Sequence, residues 1–173
     1  MSTRTPGPGD TAIMTEVTIG RARDTDLAEI LEDYPRFWGD REGPRALHHP
    51  MFVVEFGDTA FVARRADGQI LAYLLGFVAP TRDAYVHFVA VRDDARGLGL
   101  ARQLYETFTL VAVARGAGAL KAITSPENAG SLAFHHALGF TLTLAGDYGG
   151  AGQARVVMRK VLAGEAITGE APG

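Results

Sequence analysis

The 173-residue sequence contains no cysteine, no long apolar run and little excess charge. The absence of cysteine excludes disulfides, thiolate metal sites and a cysteine nucleophile. No run of about 18 apolar residues occurs, and the opening MSTRTPGPGD has no apolar segment of a signal peptide. A formal net charge of -3 argues against electrostatic binding of nucleic acid by the whole chain. We therefore expect a cytoplasmic protein that binds neither a membrane nor nucleic acid.

Length and composition predict one globular domain. The chain lies within the usual range of about 100–200 residues for a domain, and its 47% hydrophobic and 21% charged residues are ordinary proportions. Residues 1–13, rich in Pro, Gly, Ser and Thr, are expected to be a disordered segment. The domain is expected over residues 14–162, followed by a flexible tail over 163–173.

Hydrophobic periodicity predicts strands and helices in alternation. Helices are expected from Asp24 or Thr25 to near Pro35, and over residues 44–48, 97–115 and 129–138. Extended segments are expected over residues 16–21, 52–56, 59–65, 69–79, 85–91, 120–124, 140–144 and 154–160. The aromatic residues Tyr34, Phe37 and Trp38 are expected in a loop. The pattern indicates an α/β (α+β) fold, with a mixed, mostly antiparallel sheet of about six to seven strands and helices on both faces.

A glycine-rich turn joins an apolar strand to a helix within residues 85–101, YVHFVAVRDDARGLGLA. Such a turn presents unpaired backbone N–H groups at the positive end of a helix dipole, and glycine lets an anion approach the main chain. Neither GxxxxGK[ST] nor a GxGxxG with an acidic partner is present. A ligand-free turn is the alternative. The predicted phosphate site comprises Arg96, Gly97, Leu98, Gly99, Leu100 and Ala101, with positive charge from Arg92, Arg96 and Arg102.

A polar stripe lies on the predicted helix that follows residue 128. Asn128, Ser131 and His135 are spaced i, i+3, i+7 and share one helical face. The stripe predicts either the lining of a cavity or a solvent-exposed face.

These two segments together resemble the GNAT acyltransferase superfamily. The R-x-x-G-x-A pyrophosphate loop of that family is matched by Arg96, Gly99 and Ala101. Its second motif, a helix beside the cofactor that ends in Gly-Phe, is matched by Asn128, Ser131, Phe134, Gly139 and Phe140. The resemblance covers about residues 17–160, and His135 stands where the family carries a tyrosine.

The resemblance implies direct transfer of an acetyl group from acetyl-CoA, as co-substrate, to a primary amine of a small molecule. It places the cofactor against Asn128 and Ser131, and the backbone N–H that holds the oxyanion in the segment Val89, Ala90, Val91. No metal is expected, because the histidine pairs are adjacent and not spaced i, i+4.

Two histidines are the candidate catalytic residues. His135 would protonate the departing thiolate, or would only make a hydrogen bond in the cavity. His87 interrupts an apolar strand and would accept the proton of the amine, or would be a hydrogen-bonded core histidine. Asp83 and Glu55 are lesser candidates for the base. Imidazole, with an ordinary pKa of about 6.5, serves either purpose near neutral pH.

The acceptor is expected beside Trp38 and Phe37, although an aromatic cluster also suits a core. Arg36 and Arg41 would then suit an acceptor that bears a carboxylate. Acetylation of a protein or peptide, and a non-catalytic acyl-CoA sensor, are the alternative functions. A homodimer through the last two strands is compatible with the resemblance.

Overall fold

A computed structural model describes residues 16–162 of the chain. The expected disordered segment 1–13 and the expected tail 163–173 lie outside the described residues. Within the described part, no helix has the length and apolar character needed to span a membrane.

The described chain forms one seven-stranded sheet with short helices packed on it. The strands are β1 (Val17–Arg21), β2 (Phe61–Arg65), β3 (Ile70–Val78), β4 (Asp83–Val91), β5 (Ala119–Thr124), β6 (Thr141–Ala145) and β7 (Arg155–Val161). The helices are α1 (Asp26–Glu32), α2 (Tyr34–Trp38), α3 (Met51–Val54), α4 (Leu100–Ala114) and α5 (Ala129–Ala137). Single 3-10 turns cover Arg45–Leu47, Gly57–Thr59 and Asp93–Ala95.

The strand order is β1-β2-β3-β4-β5-β7-β6. Only β4 and β5 pair in parallel, and every other neighbouring pair in this sheet is antiparallel. The predicted mixed, mostly antiparallel sheet is therefore confirmed.

Two buried clusters cover the sheet. One includes Leu104 and Phe108 from α4, and the other includes Ile30 from α1 and Phe52 from α3. The first seven residues of β3 are buried because this central strand is covered by both clusters. Burial of these apolar side chains is the main favourable contribution to folding.

The segment between β1 and β2 departs most from the sequence predictions. The extended chain predicted over residues 52–56 is wrong, because Met51–Val54 form α3, with Phe52 and Val53 buried. Apolar residues at 52, 53 and 56 fit a helical turn, and those at 52, 54 and 56 fit an alternating strand equally well.

The aromatic residues predicted in a loop instead form the helix α2. Pro35 lies in its first turn, where the missing proline N–H would have no partner in any case. The helix predicted over residues 44–48 is a single 3-10 turn.

A bulge in β4 opens the middle of the sheet. β3 pairs Leu75 with Phe88 and then Gly76 with Val86, which leaves His87 as the extra residue. The parallel pairing of β4 with β5 ends at Val86, although β4 continues to Val91. The two strands therefore present unpaired edges to each other beyond this point.

Candidate active site

A cavity of about 170 Å³ lies where the pairing of β4 and β5 ends. We refer to it as the cleft. Its walls come from five parts of the chain, namely β4, β5, α4, α5 with the residue before it, and the end of α2 with the residues that follow. The lining residues are Val86, His87, Phe88, Val89, Ala122, Ile123, Thr124, Tyr105, Asn128, Ser131, His135, Trp38 and Arg41.

The glycine-rich turn leads directly into α4. Gly97 and Gly99 have φ angles of +83° and +74°, a region that side chains with a Cβ rarely adopt. Among residues 16–162, the first backbone hydrogen bond from this segment runs from Gln103 N–H to the Gly99 carbonyl, at 3.1 Å. The N–H groups of residues 96–102 have no acceptor within that range. An anion bound here would accept hydrogen bonds that the chain itself leaves unmade.

Arginines near this turn divide into two groups. Arg36 pairs with Asp93 at 2.8 Å and with Asp94 at 3.0 Å, and Arg92 pairs with Asp94 and Asp33. These arginines neutralise the acidic residues before the turn. The sequence predicts that Arg92 supplies positive charge to an anion, but its two carboxylate partners neutralise that charge.

The other two arginines remain available. Arg96 and Arg102 are exposed and make no ion pair with any residue in the range 16–162. They therefore provide the uncompensated positive charge beside the free N–H groups.

Asn128 connects the end of β5 to the start of α5. Its side-chain carbonyl accepts a hydrogen bond from Ser131 N–H at 3.2 Å and so caps the helix. Its amide donates to the Thr124 hydroxyl at 3.1 Å. Asn128, Ser131 and His135 all line the cleft. Of the two readings of the polar stripe, the structure shows the cavity lining.

The tautomer of His135 follows from its partners. Nδ1 lies 2.7 Å from the Ser131 carbonyl, which can only accept, so Nδ1 carries the proton. Nε2 then accepts a hydrogen bond from the Tyr105 hydroxyl, at 2.7 Å. Burial lowers the pKa of His135, and the backbone hydrogen bond to Ser131 partly opposes this. The ring is therefore neutral, and both of its nitrogens are occupied.

His87 is the bulged residue of β4 and lines the cleft. Its Nε2 lies 3.1 Å from the Leu47 carbonyl, so Nε2 carries the proton and Nδ1 keeps the lone pair. The Phe52 ring stacks on it with centroids 4.5 Å apart. Burial lowers the pKa of His87, against the opposing effect of the Leu47 hydrogen bond. The structure thus holds a neutral imidazole at the cleft with one free basic nitrogen.

The residues predicted to bind the acceptor amine lie in two different environments. Trp38 lines the cleft, and its indole N–H donates to the Tyr73 hydroxyl at 2.6 Å. Phe37 is buried in the core, with its ring edge-to-face with Tyr73 at 5.2 Å. Arg41 lines the cleft, with its guanidinium carbon 5.6 Å from the centre of the Trp38 ring.

The remaining predicted site residues are three at the end of β4, one at its start and Glu55 after α3. Val89 lines the cleft. Ala90 is buried in the cluster that contains Ile30 and Phe52, and Val91 is half-buried. Asp83 lies at the start of β4 and pairs with Arg159 at 3.2 Å. Among described residues, neither Asp83 nor Glu55 lines the cleft.

Sequence reasoning missed Tyr105. It follows Leu104 on α4 and lies beside the apolar stripe, so it reads as one more core residue. The only local signal was a hydroxyl on a buried helix face, which requires a hydrogen-bond partner.

Comparison with known proteins agrees with this geometry. A family model described as the acetyltransferase (GNAT) family matches residues 25–140. Two curated relatives are named L-methionine sulfoximine/L-methionine sulfone acetyltransferase, from Pseudomonas aeruginosa and Pseudomonas paraeruginosa. Each is 36% identical over 91 residues, which cover 50% of this chain and 53% of the relative. The chain thus spans about half the length of these curated relatives.

Solved structures share the whole architecture. Ard1 from Thermoplasma volcanium superposes with a TM-score of 0.71 at 16% identity, covering 84% of this chain and 97% of that one. The yncA protein from Salmonella typhimurium, solved with its cofactor acetyl-CoA, gives a TM-score of 0.65 at 22% identity, covering 87% and 96%. At these identities the structures support the fold, and the family model, which spans more than half of the sequence, supports the family. The chain belongs to the GNAT acetyltransferase family.

Proposed function

We propose that the protein is an N-acetyltransferase that moves an acetyl group from acetyl-CoA directly to a primary amine of a small molecule. The observation that carries the proposal is the cleft at the end of the β4–β5 pairing. Basic and hydrogen-bonding groups line it, and α4, which contributes Tyr105 to the lining, begins at the glycine-rich turn.

The residues present fit acetyl-CoA. The unpaired N–H groups from Arg96 to Ala101, together with the Arg96 and Arg102 side chains, would hold the pyrophosphate. Asn128 and Ser131 would lie beside the pantetheine arm. When bound, acetyl-CoA supplies the activated thioester, and a backbone N–H in the segment Val89 to Val91 would stabilise the oxyanion formed from its carbonyl.

His87 is the proposed base. An amine attacks only as the neutral species, so its proton must leave during or before the reaction. The lowered pKa keeps His87 neutral at pH 7, and the Leu47 carbonyl holds the proton on Nε2. Nδ1 is therefore the nitrogen that would accept the proton, either directly or through water.

The proposed acceptor is a small amine that bears a carboxylate. Among residues 16–162, Arg41 makes no ion pair, whereas Arg36 is held by Asp93 and Asp94. Arg41 at the cleft therefore provides a guanidinium for a carboxylate. The names of the curated relatives specify L-methionine sulfoximine and L-methionine sulfone, which are small amino-acid derivatives.

The first experiment is a calorimetric titration with acetyl-CoA of the wild type, Gly99→Asp and Gly152→Asp. The control is matched, because Gly152 has a φ of +70° close to the +74° of Gly99 and lies in the turn between β6 and β7. Binding by the wild type and by Gly152→Asp, with loss in Gly99→Asp, would place the pyrophosphate at the turn. Failure of the wild type to bind would contradict the proposal.

The acceptor class is tested by following thiol release with amino acids and with their methyl esters. We expect faster turnover of the acids, and we expect Arg41→Ala to raise the KM of the acids more than that of the esters. Equal KM changes for both would show that Arg41 does not bind the carboxylate.

A further inference from the structure

We propose that the Tyr105 hydroxyl, positioned by His135, donates the hydrogen bond that stabilises the departing CoA thiolate. This inference rests on the proposed acetyl transfer. It assigns the leaving-group role to a residue of α4, whereas the sequence pointed only to α5.

The leaving group requires a donor inside the cleft. When the tetrahedral intermediate collapses, the C–S bond breaks, its electron pair stays on sulfur, and the acetyl group remains on nitrogen as an amide. The proton of the amine goes to His87. A thiolate that forms between protein walls loses part of its hydration, which is costly unless an O–H or N–H group reaches it.

Most donors at the cleft are already committed. The N–H of Trp38 donates to Tyr73, that of His87 to Leu47, and that of His135 to the Ser131 carbonyl. The acceptors of the two histidines, Leu47 and Ser131, are backbone carbonyls, so the fold itself fixes these two hydrogen bonds. The Asn128 amide donates to Thr124. The His135 imidazole therefore has no N–H to offer a thiolate in this arrangement.

Apart from the Arg41 guanidinium, which the proposed acceptor carboxylate would engage, three side-chain hydroxyl groups of the lining remain, those of Tyr105, Ser131 and Thr124. A phenol, with an ordinary pKa of about 10, is a much stronger hydrogen-bond donor than an aliphatic alcohol. In the structure, the Tyr105 hydroxyl donates to the neutral His135 ring at 2.7 Å. Rotation about the C–O bond redirects the hydrogen, and a charged sulfur is the stronger acceptor because charge-assisted hydrogen bonds are about twice as strong as neutral ones.

The hydroxyl acts as a hydrogen-bond donor and keeps its proton. Burial raises the pKa of Tyr105, so the phenol stays protonated beside a thiolate whose conjugate acid has a pKa of about 8.5. CoA therefore departs as the thiolate and takes its proton from solvent, so that protons and electrons balance without a further reactant.

His135 is a positioning residue in this scheme. The Ser131 carbonyl holds the proton on Nδ1, so Nε2 always presents a lone pair to Tyr105. Ring contacts hold the phenol further: the Tyr105 ring lies edge-to-face with the His135 imidazole and with the Phe140 ring, with centroids 5.5 Å and 5.8 Å apart. The phenol is thus held at the cleft before acetyl-CoA binds.

The test compares Tyr105→Phe with the exchange variant Tyr105→Phe/His135→Tyr, which moves the phenol from α4 to α5. Tyr85→Phe is the matched control, because it removes a half-buried hydroxyl from β4 outside the cleft lining. The measurements are kcat and KM, the calorimetric affinity for acetyl-CoA, and the midpoint of thermal unfolding.

We expect Tyr105→Phe to lower kcat about 10- to 100-fold, somewhat less than the loss of an oxyanion donor, with unchanged affinity for acetyl-CoA. The exchange variant should recover most of this loss, and Tyr85→Phe should match the wild type. His135→Gln should lower kcat less than Tyr105→Phe, because the hydroxyl remains.

Unchanged kcat in Tyr105→Phe would overturn the inference. A parallel loss of kcat, acetyl-CoA affinity and thermal midpoint without recovery in the exchange variant would also overturn it, because that pattern indicates a packing role. Failure of the proposed function looks different: the wild type itself would then transfer no acetyl group to any amine, and the inference would fall with it.

Discussion

Gly76 is the residue whose replacement should most directly disturb the opening of the sheet. It lies in the buried central strand β3, opposite the bulge that makes His87 the extra residue of β4. A Cβ at this position would stand 2.6 Å from the Tyr85 carbonyl oxygen and 2.9 Å from a ring carbon of Phe108. Both distances are well below van der Waals contact, and the first involves backbone. We therefore expect Gly76→Ala to destabilise the protein.

The magnitude follows from two opposing effects. One extra methyl group in a well-packed core costs about 1–3 kcal/mol, and contact with backbone leaves little freedom to relax. Replacing glycine by alanine also restricts the unfolded chain, which returns about 0.4–1 kcal/mol. The expected net loss is about 1–2 kcal/mol, or roughly 2–8 °C in the unfolding midpoint for a domain near 150 residues.

Gly20→Ala provides the matched control, because Gly20 also lies in a strand but has no atom within 4 Å of the built Cβ. We expect this variant to be neutral or slightly stabilised. Urea unfolding of both variants and the wild type measures the free energies of unfolding. If Gly76→Ala proves as stable as Gly20→Ala, the close approach of β4 to β3 is not a constraint and the reasoning is refuted.

Three further predictions concern titration and a buried ion pair. Burial lowers the pKa of His87 from 6.5, so kcat/KM should decrease toward acid pH with an inflection below pH 6.5. His87→Gln should lack this inflection, and its persistence in that variant would exclude His87 as the base. Burial likewise lowers the pKa of His48 from 6.5, so the unfolded state takes up the proton first and stability should decline as pH falls below 6.5. His48→Gln should reduce that slope in urea series at several pH values, and an identical slope would contradict the assignment. Arg64→Met should lower the free energy of unfolding by about 3–5 kcal/mol, because the carboxylate of Asp26, which is 2% exposed, would lose its cation. The double variant Arg64→Met/Asp26→Leu should recover part of this loss, and no recovery would show that the unpaired charge is not the cause.

The sequence predicts best those elements in which one local pattern is sufficient. α4 has apolar residues at helical spacing, a glycine-rich start and glycine after its end. The sequence predicts it over residues 97–115, within three residues of the observed bounds, Leu100–Ala114. β3 is a long apolar run, and it was predicted within one residue of Ile70–Val78. The secondary structure predicted for residues 34–56 is wrong in part, because short apolar patterns are compatible with a strand, a loop and a helical turn. Contacts with β3 and β4 decide its conformation, and these contacts are not visible in the local sequence.

The cleft itself depends on contacts that are distant in sequence. Tyr105 and His135 are separated by 30 positions, and His87 and the Leu47 carbonyl by 40. A helical wheel places His135 on one face with Asn128 and Ser131, but it cannot show that both of its nitrogens are occupied or that a phenol from another helix points at it. Tautomer and donor capacity are properties of the assembled cleft. For this reason the sequence predicts residues that line the cleft, whereas the proposed roles of Tyr105 and His135 follow only from the hydrogen bonds that the fold creates.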